Sequence, residues 1–157
     1  MKVTLLMIGK TDEKPVVALC EKYAKRLKFY CKWDAVVIPD LKNAAKMSEE
    51  EQKKREGEEI LKRIQPSDHV VLLDERGKIP TSEEFSKQVD NYQIRGVRHL
   101  FFVIGGAYGF SDEVYARGNE KLALSKMTFS HQMVRAFIAE QVYRAFTIIN
   151  NEPYHHR

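Results

Sequence analysis

The chain has 157 residues, 43% of them hydrophobic and 31% charged, with a formal net charge of +4. That length accommodates a single domain, residues 1–157, built on one core, and the composition excludes disordered and fibrous classes. The small positive excess permits an anionic partner without requiring one.

Residues 3–8 form a short apolar run that Gly9 closes. The run lacks the length and small-residue cleavage site of a signal peptide. No stretch approaches the roughly 18 to 20 apolar residues that span a bilayer. The expectation is a cytoplasmic protein with no membrane partner. Cys20 and Cys31 have no metal-type spacing around them and are expected as two thiols rather than a disulfide.

Residues 3–8 read as a buried strand. A helix follows from Pro15, with Val16, Leu19, Cys20, Tyr23, Leu27 and Tyr30 at helical spacing. Residues 33–38 are a second strand. Ser48 with Glu49, Glu50 and Glu51 fits a capping box opening a charged helix whose thin apolar face is Ile60, Leu61 and Ile64. Residues 69–73 are a third strand, apolar throughout as in a strand covered on both faces. Residues 76–80 read as a loop. Thr81 to Glu84 opens a helix carrying Phe85, Val89 and Tyr92. Residues 100–104 are a fourth strand, followed by the glycine cluster 105–110 and a short helix capped by Ser111. A brief fifth strand is expected at 122–125. A long helix, His131–Ile149, ends at Asn150, Asn151 and Pro153. Strands alternating with helices predict an α/β fold with a mostly parallel sheet covered by helices.

In open α/β sheets, ligands bind beyond the carboxyl ends of the strands. Three such ends stand out: 73–77, 105–110 and 124–131. Glycines at 105, 106 and 109 allow close backbone approach to a flat ligand and positive φ. The spacing is GGxxG, neither a dinucleotide fingerprint nor a P-loop. A tight strand-to-helix turn accounts for it equally well. His131 lies in the first turn of the last helix, where the helix dipole disfavours imidazolium. It is either a neutral proton acceptor or a capping residue. His69 and His99 each precede a strand and read as structural. Arg135 and Arg144 fit a solvated helix face or an RNA contact, the latter because Tyr154 in the tail offers a surface for base stacking.

These segments together resemble the RlmH family of bacterial 23S rRNA pseudouridine-N3 methyltransferases, in the SPOUT superfamily. The resemblance rests on VIGG at 103–106, LSKMTFSHQMVR at 124–135, EQVYRA at 140–145 and PYHH at 153–156, and it spans the chain. It implies a C-terminal trefoil knot, a homodimer with shared sites, and S-adenosylmethionine as cofactor. The implied cofactor contacts are Leu73, Gly105, Leu124, Ser125, Lys126, Met127, Thr128 and Phe129. The implied catalytic residues are His131, Arg144, Tyr154 and His155, with His131 or His155 as general base and Arg144 stabilising the uracil oxyanion. The expected substrate is a pseudouridine of 23S rRNA on the assembled ribosome. A non-enzymatic ribosome-binding factor is the rival reading, and it leaves the glycine loop unexplained. A nucleotide-cofactor oxidoreductase is a further rival, disfavoured by the missing fingerprint.

Overall fold

The computed structural model describes residues 1–156; Arg157, part of the tail singled out above, lies outside the described residues. Five strands, β1 (Lys2–Ile8), β2 (Lys32–Ile38), β3 (His69–Lys78), β4 (His99–Ile104) and β5 (Glu120–Leu122), form one sheet in the order β2-β1-β4-β3-β5. Every pairing is parallel. The helices are α1 (Lys14–Leu27), α2 (Glu49–Leu61), α3 (Ser82–Ile94), α4 (Asp112–Arg117) and α5 (His131–Ile149). The expected α/β architecture with a parallel sheet is present.

Alternate residues of the inner strands feed two cores, as a pleated sheet covered on both faces requires. Leu5, Phe102 and Val71 pack with Leu27 of α1, Phe85 and Val89 of α3, and Ile138, Val142 and Phe146 of α5. Leu6, Phe101, Val103 and Leu72 pack with Ile60 of α2 and Val114 of α4 on the other face. Helices α1 and α3 make the steps β1 to β2 and β3 to β4, both in one direction along the sheet. Helices α2 and α4 make the steps in the opposite direction, on the opposite face. All four crossovers therefore share one hand, as parallel βαβ units do.

The helix starts follow the capping chemistry. Thr81 and Glu84 form a complete reciprocal capping box at α3. Ser111 and Ser130 each accept a backbone N–H at the starts of α4 and α5. At α2, Ser48 accepts from Glu51 N at 3.1 Å, which is half of the expected box. His69 bonds Glu120 and His99 bonds Thr4, each at 2.8 Å, so both histidines serve the fold.

Two expected boundaries are corrected. The loop placed at 76–80 is largely strand, because β3 continues to Lys78. Leu73 and Lys78 both pair with Leu122, so residues 74–77 leave the ladder between them as a large bulge. Gly77 permits this, since a Cβ there would stand 2.6 Å from the Leu122 backbone. The fifth strand is Glu120–Leu122, earlier than 122–125. Ala123 N donates to Lys78 O at 2.8 Å, and then the chain leaves the sheet.

Ile138 is fully buried on α5, whereas its neighbour Phe137 is 37% exposed. Ile138→Ala should cost about 2 to 5 kcal/mol in urea unfolding, with the denaturant slope unchanged. An unchanged midpoint would show that α5 is not packed against the sheet as described.

Candidate active site

The crossovers from β3 and β4 depart to opposite faces, and between such strands a crevice opens at the carboxyl ends. A cavity of about 420 Å³ lies there, bounded by the ends of β3, β4 and β5 and by the first turn of α5. That volume is within the range of small-molecule sites. Leu73, Gly105 and every residue of 124–129 except Lys126 line it, joined by His131. Lys126 is exposed beside it. Ser125 shapes the 124–129 segment by accepting from Met127 N at 2.9 Å.

The three glycines allow positive φ, but not all of them use it. Only Gly109 has it, at +84°, closing a turn in which its N–H donates to Gly106 O at 3.1 Å. A Cβ on Gly105 would meet the Phe110 ring at 3.0 Å, so the first conflict of a side chain there is with the wall behind the cavity. A Cβ on Gly106 would overlap the Glu56 carboxylate from α2. Glu56 is 5% exposed; its Oε1 accepts from Gln52 at 3.0 Å and its Oε2 has no hydrogen-bond partner. Burial pushes its carboxyl up, against the opposing bond from Gln52.

The bulge of β3 turns Asp74 and Arg76 toward the cavity wall. The Tyr115 hydroxyl donates to Asp74 Oδ2, and Arg76 Nη2 donates to Tyr115 Oη at 2.7 Å. Burial works against the Asp74 carboxylate, but the bonds from Tyr115 and Arg76 outweigh it and hold it below the ordinary carboxylate range. Both residues belong to the strand end 73–77 that stands out in the sequence, of which Leu73 alone is among the implied cofactor contacts.

Arg144, Tyr154 and His155 gather elsewhere. Arg144 donates through Nε and Nη2 to Glu140 Oε1, at 3.0 and 2.7 Å. Tyr154 donates to the same oxygen at 3.1 Å, and its ring lies 4.7 Å under the Arg144 guanidinium. Arg144 Nη1 lies 3.2 Å from His155 Nδ1. A guanidinium only donates, so Nδ1 accepts and His155 carries its proton on Nε2. Thirteen residues of helix separate His131 from Arg144, about 20 Å at 1.5 Å per residue. The chain thus places the two halves of the predicted site toward opposite ends of α5.

Arg135 is neither solvated nor available to RNA. It is 2% exposed, donating to Thr11 Oγ1 at 2.9 Å and to Ile8 O at 2.8 Å. Its position three and seven residues before Ile138 and Val142 put it on the buried stripe, a signal the sequence contained.

A glycine-walled crevice at diverging strand ends is the place where open parallel α/β sheets bind small ligands. Residues 1–155 match the family model described as "Predicted SPOUT methyltransferase". The chain belongs to the SPOUT methyltransferase family. It is similar to a protein of Christiangramia forsetii named "Ribosomal RNA large subunit methyltransferase H", 55% identical over 157 residues and 100% of both chains. A protein of Porphyromonas gingivalis with the same name is 52% identical over 156 residues, 99% of each chain. Family membership sets aside the oxidoreductase reading and the non-enzymatic one. Among the described residues, no helix is long and apolar enough to cross a membrane.

Glu56 carries a pH dependence. Its folded carboxyl holds a proton more tightly than the unfolded chain does, at about 4.3. Stability from this group is therefore full below that value and lost as pH rises through the higher folded value. Glu56→Gln cannot ionise and should flatten this decline in urea midpoints between about pH 4 and pH 8. A wild-type and variant decline of equal slope would remove Glu56 as its source.

Proposed function

We propose that this chain transfers the methyl group of S-adenosylmethionine to N3 of a pseudouridine in 23S ribosomal RNA, on the assembled large subunit, as a cytoplasmic homodimer. The names of its relatives and its family support the reaction and the class of substrate. The observation that carries the shared-site reading is the separation along α5: cavity and His131 at one end, Arg144, Tyr154 and His155 at the other.

A cavity of this size, with apolar Leu73, Leu124, Met127 and Phe129 beside the polar Ser125 and Thr128, fits the cofactor's mixed chemistry. When bound, S-adenosylmethionine supplies an electrophilic methyl on a sulfonium, already a good leaving group. The protein's work is alignment and proton removal. Leu73, Gly105 and the 124–129 segment hold the cofactor, Lys126 from the exposed rim. His131 removes the N3 proton, because His155 is committed as a donor through its Nε2–H. Arg144 and His155 donate to the oxygens on which negative charge develops, and Tyr154 presents an aromatic face to a base.

A homodimer brings these halves together. Exposed Met127 lines the cavity, and a second hollow of about 250 Å³, sharing Leu122, Ala123, Leu124 and Phe129 with it, runs along α5 past the partly exposed Phe137 and Gln141. The family's trefoil knot is part of the same proposal.

Mixed dimers test the reading. Gly105→Val is expected to lose cofactor binding by calorimetry, through displacement of Phe110. Deletion of 154–157 is expected to keep cofactor binding and lose methylation of ribosomes. Mixing the two inactive proteins in equal amounts should restore about a quarter of wild-type activity, since half the dimers carry one intact composite site. No restoration would mean the tail acts within its own protomer. Failure of the wild type to bind S-adenosylmethionine would overturn the function itself.

A further inference from the structure

The bulge of β3 leaves one arginine both exposed and fixed. The Arg76 side chain is 69% exposed, yet its backbone N–H donates to Asp74 Oδ1 at 2.8 Å and its Nε lies 3.4 Å from the same oxygen. Its Nη2 donates to the Tyr115 hydroxyl, and its guanidinium carbon stands 5.3 Å from the centre of that ring. The ring is itself held edge-on by Phe110, 5.6 Å away in the core of the second face. Lys121, exposed on β5, places its ammonium 5.7 Å from the same ring centre. Among the described residues Lys121 has no ion pair. The nearby Glu120 carboxylate is turned away, engaged by His69, Gln88 and Tyr92.

An exposed arginine normally spends its side-chain freedom on being solvated. Here a carboxylate with a 6% exposed side chain and an anchored aromatic ring remove that freedom in advance. Pre-ordering lowers the entropic cost of binding a further partner. Two cations on one ring, Arg76 lining the cavity and Lys121 exposed just outside it, suit an anion that approaches from solvent at the cavity's mouth.

We infer that Arg76 and Lys121, held on Tyr115, form a binding site for a backbone phosphate of the substrate RNA next to the methylated nucleotide. The site rests on the functional reading above. It makes the β3–β5 edge of the cavity a docking rim for the RNA strand, separate from the α5 tail cluster.

The test uses the full-length dimer with Arg76→Ala, Lys121→Ala and the double variant. Lys121 is exposed, so its replacement leaves folding intact, and thermal melting checks the other two. Affinity is measured for a protein-free transcript of the large-subunit rRNA and for S-adenosylmethionine, and methylation is measured on ribosomal particles. The double variant is expected to bind the transcript about tenfold more weakly at low salt, with the dependence of log affinity on log salt shallower by about 0.7 to 0.9 per lost phosphate contact. Cofactor affinity should stay within about twofold, and the apparent KM for ribosomes should rise with kcat nearly unchanged. A transcript affinity and salt slope equal to wild type would overturn the site. Weakened cofactor binding of equal size would also overturn it, by assigning the cations to the cofactor's own carboxylate. Loss on ribosomes without loss on the transcript would assign them to a ribosomal protein. Absence of any methylation by the wild type would instead sink the functional reading, leaving transcript binding to decide the rim.

Discussion

The hand shared by the four crossovers is the constraint on which the rest of the molecule depends. Parallel strands can be joined only by connections that pass over a face of the sheet, and one hand ties the direction of each step to the face it uses. In the order β2-β1-β4-β3-β5, that rule sends α1 and α3 to one side and α2 and α4 to the other. Strands β3 and β4 are neighbours whose chains leave in opposite directions, so no backbone closes the space beyond their ends. The cavity is the consequence. Gly105 and Gly106 form part of its wall, and side chains there have no room because Phe110 and Glu56 stand behind the backbone.

The last helix shares the face of α1 and α3 and packs between them. Burying an arginine on such a face is costly unless its donors are satisfied. Arg135 meets that condition by reaching across to Ile8 O and Thr11, which ties the start of α5 to the end of β1. Its remaining Nε is unpaired, and burial lowers its pKa. The bond to Ile8 O fixes where His131, one turn earlier on the same helix, and the adjacent Val134 enter the cavity wall.

Much of this order was legible in the chain. Short apolar runs at 3–8, 69–73 and 100–104, alternating with helical spacing, suffice for a covered parallel sheet, because a strand buried on both faces has no polar positions to alternate. The bulge at 74–77 was not legible. Asp-Glu-Arg-Gly has the composition of a turn, and only the pairing of both Leu73 and Lys78 with Leu122, some 45 residues onward by the chain numbering, makes it an excursion within a strand. The role of Gly105 was read from the ligand side, whereas the structure sets its first conflict behind the cavity, at a ring five residues later. Glu56 was hidden among eight other charged residues of α2, since a helix so polar gives little sign of which carboxylate turns inward. Arg135, by contrast, sat on a readable stripe.

The tail cluster shows why charge alone is a poor guide to what Arg144 does. Its guanidinium has five N–H donors. Two go to Glu140 and a third to His155, so the positive charge is largely neutralised inside the cluster and its long-range pull on phosphate is weak. What survives is direction. The donors left over are fixed in a plane by Glu140, the His155 tautomer is set by the arginine, and Tyr154 is pinned by the same carboxylate and by the Tyr23 hydroxyl at 3.4 Å. Burial and these bonds push the Tyr154 phenol well above its ordinary value, so it stays a neutral hydroxyl. A cluster arranged this way attracts little from a distance and discriminates by geometry at contact. Under the proposed function that property suits methyl transfer, where the leaving group is already activated and the barrier left to lower is chiefly one of alignment.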